Sequence, residues 1–153
     1  YFKQAYAKYG DWMAVSASYN AGQGRISSQL DKQLADHAMD LWLADLPAVP
    51  GHVKHGVRPV LVVSNDDFNA SSPTLTVVPL TSQRRTLTQP THVCLRGYGL
   101  SVISVAQCEQ VMTLDRSCFI RQLGRVSNWC DRLAIQHGLA RHLGIALCVN
   151  LAA

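Results

Sequence analysis

The spacing of apolar side chains changes once along the chain. Over residues 1–38 it is helical: Phe2, Ala5, Tyr6 and Tyr9 recur on one face, and Gly10-Asp11 interrupts the pattern. Asp11 can cap a second run through Trp12, Met13, Val15 and Ala17. Asn20-Ala21-Gly22-Gln23-Gly24 reads as a turn, and Ser27 or Ser28 opens a further helix through Leu30 and Leu34. From about Met39 the period becomes that of strands. Leu41 to Asp45 forms a short run that ends at Pro47 and Pro50. Val57–Val63, dense in β-branched residues, stops at Ser64-Asn65-Asp66-Asp67, a cluster with turn chemistry. Leu75–Leu80, Thr91–Leu95, Ser101–Val105 with Gln107–Leu114, and Phe119–Val126 follow, and Asn128 caps a closing helix through Trp129, Leu133, Leu139 and Leu143 toward Leu147. Short strands roughly ten residues apart predict a small antiparallel barrel or sandwich. The expected fold class is mainly β with helices (α+β), and the expected organisation is a helical appendage, 1–38, followed by a barrel domain, 39–153.

Composition narrows the picture without deciding it. With 153 residues, 48% of them hydrophobic, the chain can bury one real core but cannot hold two full enzymes. No apolar run approaches the eighteen or so residues of a membrane span, and no export signal is read at the start, so a cytoplasmic, membrane-free protein is expected. Five cysteines at long spacings, with no CxxC pair and no Cys/His cluster, fit reduced thiols and give no metal site. The net charge is +4. Residues 39–153 hold ten basic against seven acidic groups, and nine of the ten are arginine, whose planar fork suits phosphate; a polyanionic partner is plausible.

Four stretches of the second segment carry more specific information: Asp40-Leu-Trp-Leu-Ala-Asp-Leu-Pro47, Gly56-Val-Arg-Pro-Val-Leu-Val-Val-Ser-Asn-Asp66, Val78-Pro-Leu-Thr-Ser-Gln83 and Cys108-Glu-Gln-Val-Met-Thr-Leu-Asp115. In this order and spacing they resemble the MazF/PemK toxin family over residues 39–145. The resemblance implies an SH3-like barrel that forms a homodimer, a groove for single-stranded RNA, a cognate antitoxin whose tail occupies that groove, and RNA cleavage with no metal or cofactor. It also implies that Arg58 and Thr81, which match the family's G-V-R-P arginine and the threonine after its P-L pair, are catalytic.

The residues themselves are compatible with that chemistry. Attack by a neighbouring 2′-hydroxyl requires stabilisation of the charge that builds on the phosphoryl group, and a guanidinium matches two phosphoryl oxygens. Arg58 is the only charged side chain between Lys54 and Asp66. Because arginine stays protonated far above neutral pH, electrostatic stabilisation is the better-founded role than proton transfer. Thr81 can donate a hydrogen bond to phosphate without carrying charge. His55, Ser82, Gln83 and Arg84 are candidate RNA-binding residues, the first three also readable as ordinary surface or turn positions and Arg84 as half of a solvated pair with Arg85. Ser64 and Asn65 are supporting candidates that hold a loop. Glu109, the only glutamate, sits in an apolar run beside Gln110 and calls for a partner such as Arg58 or Arg121, through which both are supporting candidates.

Residues 1–33 resemble something else. Ser18-Tyr19-Asn20-Ala21-Gly22-Gln23-Gly24 is similar to the A-Y-N-A-G-x-G segment of lytic transglycosylases. Glycan cleavage requires a carboxylic acid on the glycosidic oxygen, a glutamate in that family, and residues 1–38 contain none. Three functions therefore stand side by side: a toxin-type endoribonuclease, an inactive barrel that binds RNA or an antitoxin peptide, and a peptidoglycan-associated protein. At the junction the basic residue and glycine usual in the toxin pattern are replaced by Ala38-Met39, which leaves the beginning of the first strand open.

Overall fold

The computed structural model describes residues 38–83 and 89–146, all within the second of two units that divide between His37 and Ala38. The helices and the transglycosylase-like motif read in residues 1–37, and Arg84, lie outside the described residues.

Seven strands follow in order: β1 (Asp40–Leu46), β2 (Gly56–Val62), β3 (Thr74–Thr81), β4 (His92–Leu95), β5 (Ser104–Gln107), β6 (Met112–Asp115) and β7 (Phe119–Arg125). They pair antiparallel in the order β4-β5-β3-β2-β1-β7, with β6 also on β3. A short helix, α1 (Asp66–Ser71), joins β2 to β3, and α2 (Trp129–Leu143) follows β7.

The continuous apolar runs of β2 and β3 reflect burial on both faces. Leu61, Val78 and Leu80 enter a core with Leu41, Leu95, Ala106, Val126 and Ile135 of α2. Val60, Val62 and Val77 enter a second core with Ala44, Leu46 and Leu114, on which Trp42 and Phe119 pack edge to face at 5.9 Å between ring centroids. The helix α2 closes the first core through Ile135, with Ala134 and Leu139 packed against it. Gly138 lets α2 approach Cys108 closely, since a Cβ there would sit 2.8 Å from Cys108 Sγ and force a shift.

Three expectations change in detail. The cluster at Ser64–Asp67 is not a simple turn: Asn65 accepts from the Asp67 N–H at 2.8 Å and caps α1. The run Ser101–Val105 begins as loop and becomes strand only at Ser104, and Gln107–Leu114 is broken by a 3-10 turn, Cys108–Gln110. That turn places the Cys108 N–H on the Thr91 carbonyl at 3.1 Å and frees Glu109 and Gln110 for side-chain bonds. Finally, α2 ends at Gly144, whose φ of 67° provides the left-handed cap, rather than running to Leu147. The first strand does begin at Asp40, with Met39 ahead of it at φ 68°.

Candidate functional site

Pairing between β2 and β3 sets Val60 opposite Pro79, Leu61 opposite Val78 and Val62 opposite Val77. Arg58 lies two residues before Val60 on β2 and Thr81 two residues after Pro79 on β3, so both belong to the same end of this strand pair. Both residues line a cleft of about 470 Å³ at this end of the sheet, together with Ser82, Gln83 and Arg121.

Arg58 is oriented from behind. Its Nε donates to the His55 carbonyl at 2.9 Å and Nη2 donates to the same oxygen, so the side chain is fixed while its remaining N–H groups stay available. The His55 segment is held in turn by Gln110, whose Oε1 accepts from the Lys54 N–H at 2.9 Å and whose amide donates to the His52 carbonyl at 3.4 Å. Thr81 Oγ1 accepts from the Gln83 N–H at 3.3 Å, which tightens the turn at the end of β3 and leaves the hydroxyl proton free to donate.

The cleft is also lined by the segment Gly99–Val102 with Ser104. Gly97, Tyr98 and Gly99 all have positive φ (81°, 56° and 82°), and the segment runs so close to β7 that a Cβ on Gly99 or on Gly124 would collide with the other strand's backbone. Tyr98 anchors the turn by donating to Asp131 Oδ2 of α2 at 2.6 Å; that bond, then burial and the nearby negative charge, raise the phenol above its ordinary value. Among the described residues, no carboxylate lines the cleft. Two arginines face it with hydroxyl and amide side chains, an arrangement suited to a phosphodiester.

Not every candidate gathers here. Ser82 and Gln83 do. His55 contributes its carbonyl, and its ring is not among the lining groups. Ser64 and Asn65 lie beyond the other end of β2, where Ser64 Oγ donates to Asn69 Oδ1 at 2.5 Å and accepts from the Thr76 N–H at 3.0 Å. Gln110 supports the cleft through the loop before Arg58. Glu109 does not: it accepts from Thr91 Oγ1 at 2.9 Å and pairs with His92 Nε2 at 2.8 Å, so the expected arginine partner is replaced by a histidine. Burial raises the Glu109 carboxyl, but bonds from His92, from its own backbone and from Thr91 outweigh this and hold it below its ordinary value. Arg121 and the Gly99–Ser104 wall were not identified as site elements from the sequence. The signal for Arg121 was its alternation with Leu123 on one face of a strand; the wall's signal was Gly97-Tyr98-Gly99, which only a register would have placed in the cleft with Arg58.

Among the described residues, no group of three or more His, Cys, Asp or Glu side chains is arranged to hold a metal ion, and no helix is long and apolar enough to cross a membrane.

Residues 37–131 match the family model described as PemK-like, MazF-like toxin of type II toxin-antitoxin system. The chain is 36% identical over 110 residues to endoribonuclease EndoA of Bacillus subtilis (strain 168), covering 71% of this chain and 92% of that protein. Among solved structures it is similar to MazF from Deinococcus radiodurans, with TM-score 0.61 and 28% identity over 72% of this chain and 96% of that one. A mycobacterial endoribonuclease solved with its cognate antitoxin gives TM-score 0.61 and 26% identity, covering 74% of this chain and 99% of that one.

Proposed function

Because this chain belongs to the PemK-like, MazF-like toxin family, we propose that it is a toxin-type endoribonuclease that cuts single-stranded RNA at the Arg58–Thr81 cleft. The observation that carries the reading is that the family's arginine and threonine, far apart in sequence, line one cleft in which no described residue contributes a carboxylate. The 2′-oxygen attacks phosphorus as its proton is removed, and the bond to the 5′-oxygen breaks as that oxygen takes a proton; a 2′,3′-cyclic phosphate and a 5′-hydroxyl result. Arg58 stabilises the charge that accumulates on the non-bridging oxygens, where a held guanidinium acts without reorganising. Thr81 donates to one of the same oxygens. Cleavage of this kind draws on no metal.

The relevant partners are single-stranded RNA and a cognate antitoxin, which competes for the same cleft, and the working unit is a homodimer. The reaction resides in residues 39–153; residues 1–38 are an appendage to it. Incubating the purified protein with a long single-stranded RNA in EDTA tests the reading. Discrete cuts ending in cyclic phosphate are expected. Intact RNA together with retained binding of the antitoxin peptide would mean that the barrel binds without cutting.

A further inference from the structure

The arginines of the last strands are used in different ways. Arg125 donates to the buried Asp40 at 2.6 Å, and Arg116 to the Ser72 carbonyl at 2.8 Å and to the Asn69 carbonyl. The side chain of Arg121, between them in sequence, makes no hydrogen bond or ion pair with any described residue, yet it lines the cleft. A charged side chain on a strand, lining a cleft to which no described residue contributes a carboxylate, is balanced by solvent or by an anionic ligand.

Its position relative to Arg58 is fixed by the sheet. Leu43 of β1 pairs with Pro59 on one side and with Arg121 on the other. Pro59, Leu43 and Arg121 therefore form a row across three strands, two strand spacings or about 10 Å in extent. Arg58 adjoins the Pro59 end. Arg58, next to Pro59 in the chain, and Arg121 both line the cleft, as do Pro59, Leu43 and the exposed residues Val57 and Val102. Single-stranded nucleic acids are held by this combination of cations that follow the backbone and apolar surface that receives a base.

We propose that Arg121 is a second phosphate-binding residue, which grips the phosphodiester next to the one at Arg58 while the intervening nucleotide lies over Leu43 and Pro59. This rests on the RNA-cleaving reading of the cleft, and its test is separable from that reading. Affinity for a non-cleavable 2′-deoxy oligonucleotide is measured across a salt series, and cleavage of the matching ribo-oligonucleotide gives kcat and KM. Arg121→Ala should weaken binding about ten-fold and lower the log–log salt slope by about 0.7, the contribution of one single-strand phosphate contact, with kcat held within about two-fold. Arg121→Lys should restore the slope but not the whole affinity, because the fork is lost. Arg141→Ala, which removes the same charge on α2 away from the cleft, should leave the slope unchanged. Unchanged affinity and slope in Arg121→Ala would overturn the assignment. So would a loss confined to kcat, which would place Arg121 at the reacting phosphate instead. If the wild-type protein leaves RNA uncut but binds it with the Arg121-dependent slope, the grip stands and the cleavage reading falls.

Discussion

At the Ser64 end of the β1–β2–β3 sheet, polar groups answer one another. Ser64 accepts from the Thr76 N–H and donates to Asn69, whose amide returns a bond to the Ser64 carbonyl at 2.8 Å. Asn65 caps α1, Asp66 accepts from the Ala38 N–H at 2.7 Å, and the buried Asp40 takes Arg125. At the Arg58 end the side chains leave donors open: among the described residues, the Arg58 side chain is tied only to a carbonyl three residues away, that of Thr81 only by the lone pair that receives the Gln83 N–H, and that of Arg121 to none. One end is a closed network that holds the strands together. The other keeps its hydrogen-bonding capacity for a ligand. A closed network contributes stability because breaking it strands buried groups, whereas an open set contributes little to folding and much to binding.

The largest effect that follows is on catalysis. Arg58→Ala should lower the rate of RNA cutting by roughly 10²–10³-fold, the usual loss when a charge-stabilising donor is removed, while the thermal midpoint stays within about a degree because no buried contact is lost. A variant that cut normally would misplace the site; one that melted far lower would show that this end is structural after all. The reverse outcome is expected at the other end. Asn69 is fully buried, and Asn69→Ala removes both the acceptor of the Ser64 hydroxyl and the donor to the Ser64 carbonyl, at a cost of about 1–3 kcal/mol and several degrees of midpoint. Cutting per folded molecule should be unchanged. Loss of specific activity at full folding would mean that the two ends are coupled.

Much of this contrast was legible before the structure. Strand positions follow from β-branched runs bounded by turn residues, and Asn128 was readable as a cap because Asn before a helical period accepts the first free N–H groups. Arg58 and Thr81 were found through motifs, but their juxtaposition required the β2–β3 register, which depends on packing across two cores and not on local pattern. The 3-10 turn at Cys108–Gln110 was hidden because its residues are apolar or polar in an order that also suits a strand; the bonds that bend it come from Thr91 and His92, distant in sequence. For the same reason the partner of Glu109 was misassigned. A lone glutamate among many arginines suggests an arginine by number, and the topology supplied a histidine.

That histidine makes a third test, intermediate in size, on a closed cluster outside both ends. Glu109 is held below its ordinary carboxyl value near 4.5. A depressed folded value means that the unfolded chain takes up the proton first, so the stabilisation is complete above about pH 4.5 and is lost as pH falls through the folded value. The wild-type midpoint should drop more steeply below pH 4.5 than that of Glu109→Gln, and the two curves should run parallel above it. Parallel curves throughout would show that the Thr91–Glu109–His92 bonds add nothing net to folding.

The smallest effect concerns the residue that opens β1 at the closed end. Met39 has φ 68°, its N–H donates to the Val62 carbonyl at 2.9 Å, and its carbonyl accepts from the Val126 N–H at 2.9 Å. Both bonds fix the backbone in the left-handed region, which costs a non-glycine residue about 1–2 kcal/mol. The side chain, buried in the first core, offsets that cost, so Met39→Gly alone would mix two opposing terms. Comparing Met39→Gly with Met39→Ala separates them, because both remove the same packing. At an ordinary position alanine would be favoured by about 0.4–1 kcal/mol through the entropy of the unfolded chain. Here glycine should be the more stable by about 0.5–1 kcal/mol in denaturant titrations, since relief at φ 68° exceeds the entropy term. If alanine proves more stable, the ladder bonds do not hold Met39 in this conformation in solution. The closed end would then begin at Asp40 and its Arg125 pair, and Met39 would count only as core.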